Sequence, residues 1–233
     1  YSNYLEMWSV CRFPKRNLTF RNVGIGGDRS PGGNSRFKRD VLAHKATVLT
    51  VDFGMNDGHS KTFSEPAFQT YLKGLQGIAD QAKAAKIRVA WITSQPTEVR
   101  QEGPALSGVN ATLERFSEGV EQIALKNGGI FVDQFHPYLA VLAKARATDP
   151  KNINVTGGDA VHPGPPGQVV MAAAILKRLD FQKLIARVVI DGPKLEAENC
   201  KVEMRAVKEA GIVSFTCLPS GLPFFPEEAK SIL

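Results

Sequence analysis

Residues 47–57 read TVLTVDFGMND. Thr47 to Phe53 is β-branched and nearly all apolar, without the polar alternation of a strand that keeps one face in water. Such a run belongs to a strand covered on both faces. Gly54-Met55-Asn56-Asp57 then ends it in turn-forming residues. The pattern recurs at Ile87–Thr93 (IRVAWIT) and, more briefly, at Ile130–Val132. Leu18–Val23 is a fourth strand candidate, ending in glycine.

Helical spacing fills the intervals. Ser35–His44 places Phe37, Val41 and Leu42 on one face. Ser64 is an N-cap with Pro66 in the first turn, opening a helix to about Lys86 with Phe68, Leu72, Leu75 and Ile78 as its stripe. Further helices are predicted within Leu106–Lys126, from Pro137 to Ala147, and over Gln168–Leu184 with Val169, Ala172, Leu176 and Leu179 inward. Strand–helix alternation with short loops predicts an α/β protein: a three-layer α/β/α sandwich around a parallel sheet, with ligands at the carboxyl ends of the strands. After about Val188 the character changes. Lys201–Val207 alternates, Lys208–Gly211 reads as a turn, and Ile212–Leu218 follows, a small β-hairpin-like addition. The expected division is 1–187 for the main domain and 188–233 for the extension.

Composition narrows the function. The 233 residues hold 43% hydrophobic and 22% charged residues, enough to bury a core without metals or disulfides. Net charge is +6, but the basic residues are scattered, with Arg36–Lys45 the nearest thing to a cluster. No aromatic interleaving supports nucleic-acid binding. Val169–Leu176, the longest apolar run, is too short to span a bilayer. Cys11, Cys200 and Cys217 lack Cys-x-x-Cys spacing, so neither metal nor cofactor is expected. In an exported protein Cys200 and Cys217 would pair across the late hairpin. The sequence opens on Tyr1 rather than Met, and export is favoured over the cytoplasm. Asn17, Asn110 and Asn154 stand in Asn-x-Thr sequons.

Three short patterns carry chemistry. Asn22-Val23-Gly24-Ile25-Gly26-Gly27-Asp28 reads alone as a glycine-rich turn. It is no dinucleotide fingerprint, because Arg29 stands where the last glycine is needed. A glycine here lets a backbone N–H approach a developing oxyanion. Asn56 is by itself a turn former, or an amide aimed at the same oxyanion. Asp159-Ala160-Val161-His162-Pro163 is by itself a helix-start capping pair, or a carboxylate fixing an imidazole that serves as general base. His44, His59 and His136 read as surface or structural residues.

Taken in order, Asn-x-Gly-x-x-Gly, Gly-x-Asn-Asp and Asp-x-x-His-Pro resemble the second, third and fifth sequence blocks of the SGNH (GDSL-type) hydrolases, over roughly Tyr1 to Leu184. The resemblance implies a flavodoxin-like sheet of order 2-1-3-4-5. It also implies oxyanion-hole donors at Gly27 and Asn56, a general base at His162 and its orienting acid at Asp159. It implies a serine esterase acting on a small-molecule or carbohydrate ester, acetyl esters first. A lysophospholipase or thioesterase is the runner-up, and a binding module without a nucleophile is the rival from another class. The family's first block, Gly-Asp-Ser, is not among these residues. Gly27-Asp28-Arg29-Ser30 only looks like it, since Ser30 lies beyond the second block's glycine. Tyr1–Pro14 resembles the helix that follows the first block. The expectation is therefore an incomplete record of a complete enzyme, with residues 18–23 and 47–53 not direct neighbours in the sheet.

Overall fold

A computed structural model describes residues 1–99, 106, 108–151, 154–181, 184–192, 194–205, 213–224 and 226. Its elements are α1 (Ser2–Arg12), α2 (Ser30–Asp40), β1 (Val48–Asp52), the single turn α3 (Met55–Gly58), α4 (Glu65–Ala84), β2 (Arg88–Ile92), α5 (Gly108–Asn127), β3 (Ile130–Val132), α6 (Phe135–Thr148) and α7 (Pro165–Arg178). Four further strands follow: β4 (Arg187–Asp191), β5 (Lys194–Glu198), β6 (Cys200–Arg205) and β7 (Ser214–Pro219).

β1, β2 and β3 form a parallel sheet in that order, in register from Val48 opposite Arg88 to Asp52 opposite Ile92. The two-residue period of a strand divides the side chains between two faces. Val51 and Trp91 point into a core shared with Phe37, Phe68, Tyr71, Leu75, Ile78, Phe116 and Val120 from α2, α4 and α5, and with Val41 just after α2. Ala90 and Ile92 point the other way, meeting Val132 and Ile175, with Tyr1 and Leu5 at the margin. Helices therefore cover both faces, as two-sided apolar strands require.

Ser64 caps α4 as expected, its Oγ accepting from the Ala67 N–H at 3.4 Å. α7 is shorter than the predicted helix, and its buried stripe is Val170, Met171, Ala172 and Ile175 rather than one led by Val169 and Leu176. The strand expected at Leu18–Val23 does not form. A strand exists only when its N–H and C=O groups find a ladder. Among the described residues these find none, and Leu18 stays 42% exposed. The segment is instead held by a side chain, since the Val23 carbonyl accepts from Arg36 at 2.6 Å. Residues 18–23 and β1 are accordingly not neighbours in the sheet.

The C-terminal part is two antiparallel pairs, β4 with β5 and β6 with β7. The first pair was not expected from the sequence, and the turn expected at Lys208–Gly211 lies outside the described residues. Cys200 and Cys217 are on adjoining strands, Cys217 opposite Val202 and Cys200 opposite Pro219, and both are free thiols. The expected pairing therefore meets a diagonal arrangement. Across that diagonal the two thiols are close enough to interact side chain to side chain, and the Cys200 thiol pushes the Cys217 thiol up. Asn110 is 1% exposed and its amide is bonded to Thr97, so this sequon has no room for a glycan. No described helix is long and apolar enough to cross a membrane.

Candidate active site

The carboxyl end of β1 leads into α3, which carries Asn56 and Asp57, and these two residues grip the loop before α2. Asn56 Nδ2 donates to the Asp28 carbonyl at 3.0 Å. Asp57 Oδ1 accepts from the Ser30 N–H at 3.0 Å. Ser30 Oγ shares its one proton between Asp57 Oδ1 at 3.0 Å and the Tyr71 carbonyl at 2.9 Å. Burial pushes the Asp57 carboxyl up from its ordinary value, while the Ser30 donors oppose that shift. Ser30 is fully buried and committed to these contacts. In Gly27-Asp28-Arg29-Ser30 the serine thus acts as a buried link between the loop, α3 and α4.

Gly27 precedes this clamp at φ +75°, a conformation that L side chains rarely adopt. Nothing lies within 4 Å of where a Cβ would project. Its N–H has no protein acceptor among the described residues, and neither does the second N–H of the Asn56 amide. Arg36 fixes the loop from α2. Its Nε meets Asp28 Oδ2 at 2.7 Å, and one terminal nitrogen reaches both the Val23 carbonyl at 2.6 Å and Asp40 at 2.8 Å. Oriented donors without internal acceptors, on an anchored loop, can serve a transient negative charge.

Asp159 and His162 occupy the loop before α7. Asp159 Oδ1 accepts from the N–H groups of Val161 at 2.7 Å and His162 at 2.6 Å, while Oδ2 lies 2.9 Å from His162 Nδ1. The His162 N–H, its ring and the Val161 N–H hold the Asp159 carboxyl down to about 2. A carboxylate at Nδ1 fixes the tautomer that leaves Nε2 as acceptor. His162 Nε2 has no protein partner among the described residues, and the side chain is 83% exposed. The loop turns so tightly that a Cβ on Gly158 would stand 1.7 Å from the His162 carbonyl.

The segment leaving the carboxyl end of β2 carries this loop. Gln95 Nε2 donates to the Val161 carbonyl at 3.1 Å, and the Glu98 N–H to the Ala160 carbonyl at 2.8 Å. Both sequence-predicted pairs, Gly27 with Asn56 and Asp159 with His162, are thus fastened to the carboxyl ends of adjacent strands. Neither Gln95 nor Glu98 was singled out in the sequence. Their signal was only a polar run, Thr93-Ser94-Gln95-Pro96-Thr97-Glu98, at a strand end.

The same spacing occurs a second time: Asp133-Gln134-Phe135-His136-Pro137 follows β3. His136 Nδ1 lies 2.8 Å from Asp133 Oδ2, but its Nε2 faces Glu114 Oε1 at 3.4 Å. The two carboxylates outweigh partial burial and raise the imidazole, and Glu114 already occupies the ring nitrogen that a base would need. The described residues contain no metal-binding group of three or more His, Cys, Asp or Glu.

Residues 2–170 match the GDSL-like lipase/acylhydrolase family. The chain belongs to that family. A curated relative, an acetylxylan esterase of Geobacillus stearothermophilus, is 24% identical over 186 residues, covering 75% of this chain and 78% of its own. Among solved structures, a gut microbial diltiazem-metabolizing enzyme, BT4096, superposes with a TM-score of 0.80 at 27% identity over 96% of this chain. The match spans about half, 54%, of that enzyme's length. The crystal structure of Axe2, an acetylxylan esterase from Geobacillus stearothermophilus, shares the fold at a TM-score of 0.63 and 21% identity, covering 77% of this chain and 80% of its own. As a GDSL-like family member, the protein is a parallel-sheet α/β/α domain with antiparallel strand pairs after it.

Proposed function

We propose that this GDSL-like protein is a serine esterase that hydrolyses carboxylic esters through an acyl-enzyme, with acetyl esters of carbohydrates as its substrate class. The observation that carries the reading is the Asp159–His162 pair, with Nδ1 held at 2.9 Å and Nε2 unengaged. The substrate class draws on the acetylxylan esterase relative. In this mechanism a serine hydroxyl attacks the ester carbonyl while His162 Nε2 takes its proton. The Asp159 carboxylate stabilises the imidazolium. The Gly27 N–H and the Asn56 amide donate to the tetrahedral oxyanion. Collapse expels the alcohol, protonated by His162, and leaves the acyl-serine. Water, deprotonated by His162, then attacks the acyl group and releases the acid and the free serine. The nucleophile is a serine outside residues 1–233, in a Gly-Asp-Ser block ahead of the α1 helix.

The test is hydrolysis of p-nitrophenyl esters by a form of the protein that includes such a block. The expected result is turnover of the acetate ester, falling steeply with acyl chain length, and loss of most of it in His162→Ala with the fold intact. Full activity in that variant would exclude His162 as the base. A preference for long acyl chains would favour the lysophospholipase reading instead.

A further inference from the structure

The base and its acid are a pair without a foundation of their own. Side-chain exposure is 83% for His162 and 65% for Asp159, so packing does not hold them. Bonds within the loop fix the two residues to each other: the Asp159 N–H donates to the His162 carbonyl at 3.2 Å, and Asn154 Nδ2 to the Gly158 carbonyl at 2.7 Å. None of these bonds fixes the loop to the sheet.

Gln95 supplies one bond that does, to the Val161 carbonyl at 3.1 Å, and Glu98 supplies most of the rest. Glu98 is 5% exposed. Its carboxylate accepts from the Val155 N–H at 2.9 Å, from the Thr156 N–H at 3.2 Å and from the Thr156 hydroxyl. Thr156 Oγ1 in turn accepts from the buried Tyr138 hydroxyl at 3.0 Å. The Glu98 main chain grips the loop's other end, its N–H donating to Ala160 at 2.8 Å, and its carbonyl accepts from Arg146 at 2.5 Å. A carboxylate this deep is tolerated only when its oxygens are satisfied. Here the donors that satisfy it all belong to the segment leading into Asp159 and His162.

We propose that Glu98 is the positioning residue of the active site, tethering the Asp159–His162 loop to the carboxyl end of β2 through the Val155 and Thr156 N–H groups. The inference rests on the esterase reading for its effect on rate, while the tether itself does not. Because the Asp159–His162 contact is internal to the loop, loosening the tether moves the pair as a unit. Proton transfer loses its aim while the imidazole keeps its partner.

The experiment compares Glu98→Gln, which is nearly isosteric and keeps one acceptor, with Glu98→Ala, in the catalytically complete protein. For p-nitrophenyl acetate, kcat should fall about 10-fold in the first and about 100-fold in the second with little change in KM, the scale expected of ångström misplacement. The shape of the pH profile should not change in either Glu98 variant, whereas Asp159→Asn should change it. Amide exchange should accelerate at residues 155–162 and not in α4 or β2. Unchanged kcat and exchange in Glu98→Gln would overturn the proposal. So would acceleration spread over α4 and β2, or a loss expressed in KM alone. Should His162→Ala retain full activity, the esterase reading fails and exchange alone decides. Acceleration confined to 155–162 in Glu98→Gln upholds the tether, and unchanged exchange refutes it.

Discussion

Asp52 lies at the last position of β1, on the face opposite Val51, with its Oδ2 accepting from Gln134 Nε2 at 3.1 Å. Burial of the carboxyl pushes it up to about 7, and the Gln134 bond only partly opposes that. The sign follows from proton binding. Between about pH 4 and 7 the folded protein keeps a proton that the unfolded chain has released, so stability falls as pH rises through that window. A rise from the ordinary 3.8 to about 7 sets a ceiling of about 4 kcal/mol. Asp52→Asn retains an oxygen for Gln134 and removes the charge. It should raise Tm at pH 8 and change it little at pH 4, which thermal unfolding at the two pH values would show. An equal gain at both would mean that Asp52 is not the titrating group. The two histidine pairs make a second contrast at this scale. His136→Ala should leave esterase turnover and its pH profile as they are, because Glu114 already occupies the ring nitrogen that a base would need. Loss of activity in that variant would reassign the base. The Asp159–His162 pair was legible in the sequence because its geometry is local, three residues on one turn. Glu98 was not, because its partners are 57 and 58 residues away and only folding brings them to it.

At the level of elements, the chain's two-sided strands announced themselves. β1, β2 and β3 lie within a residue of their expected limits because an apolar run with no polar face has few other places to go. The 18–23 segment shows the limit of that logic: its pattern suits a strand, but strandhood depends on a neighbour that the segment's own residues do not specify. The β4–β5 pair shows the converse. Every position of β5 is exposed, so it has no apolar signature, and only Asp191-Gly192, with Gly192 at φ +55°, marked the turn. The helices bear on the site through their contacts. At Gly74 in α4 an added Cβ would stand 2.5 Å from Ser30 Oγ and 2.6 Å from the Pro31 nitrogen. Gly74→Ala therefore must push α2 away and disturb the Ser30–Asp57 clamp below Asn56. We expect destabilisation of about 1–3 kcal/mol, read as a Tm drop of roughly 2–4 °C per kcal/mol for a chain of this size. An unchanged Tm would show that α2 can shift freely.

Across the whole molecule the two faces of the sheet are unequally buried, and this inequality should govern how the protein opens. On one face Phe37, Tyr71, Leu75, Trp91 and Phe116 are each at most 2% exposed and form one continuous cluster spanning α2, α4, α5, β1 and β2. On the other, Ala90, Ile92, Val132 and Ile175 form a smaller buried cluster beside a separate one of Tyr138, Leu142, Val155, Val170 and Met171, and the contacts from the start of α1 are the partly buried Tyr1 and Leu5. α1 is also braced from the C-terminal side, where the Leu222 N–H donates to the Cys11 carbonyl at 2.8 Å and Tyr4 faces Phe224 at 6.4 Å. The strands that lead to that brace are largely open, with Met204 at 51% and Leu218 at 54% exposure. Local opening costs free energy in proportion to the apolar surface it uncovers. Amide exchange of residues 1–233 should therefore be slowest in β2 and α4, intermediate in α1 and α7, and fastest in β4–β5 and β6–β7. Because α1 leans on the 220–224 segment, weakening that contact with Phe224→Ala should accelerate exchange in α1 and leave α4 unchanged. Protection of β6–β7 as strong as that of β2 would contradict the ordering. Acceleration of α4 together with α1 would show that the two faces unfold as one unit.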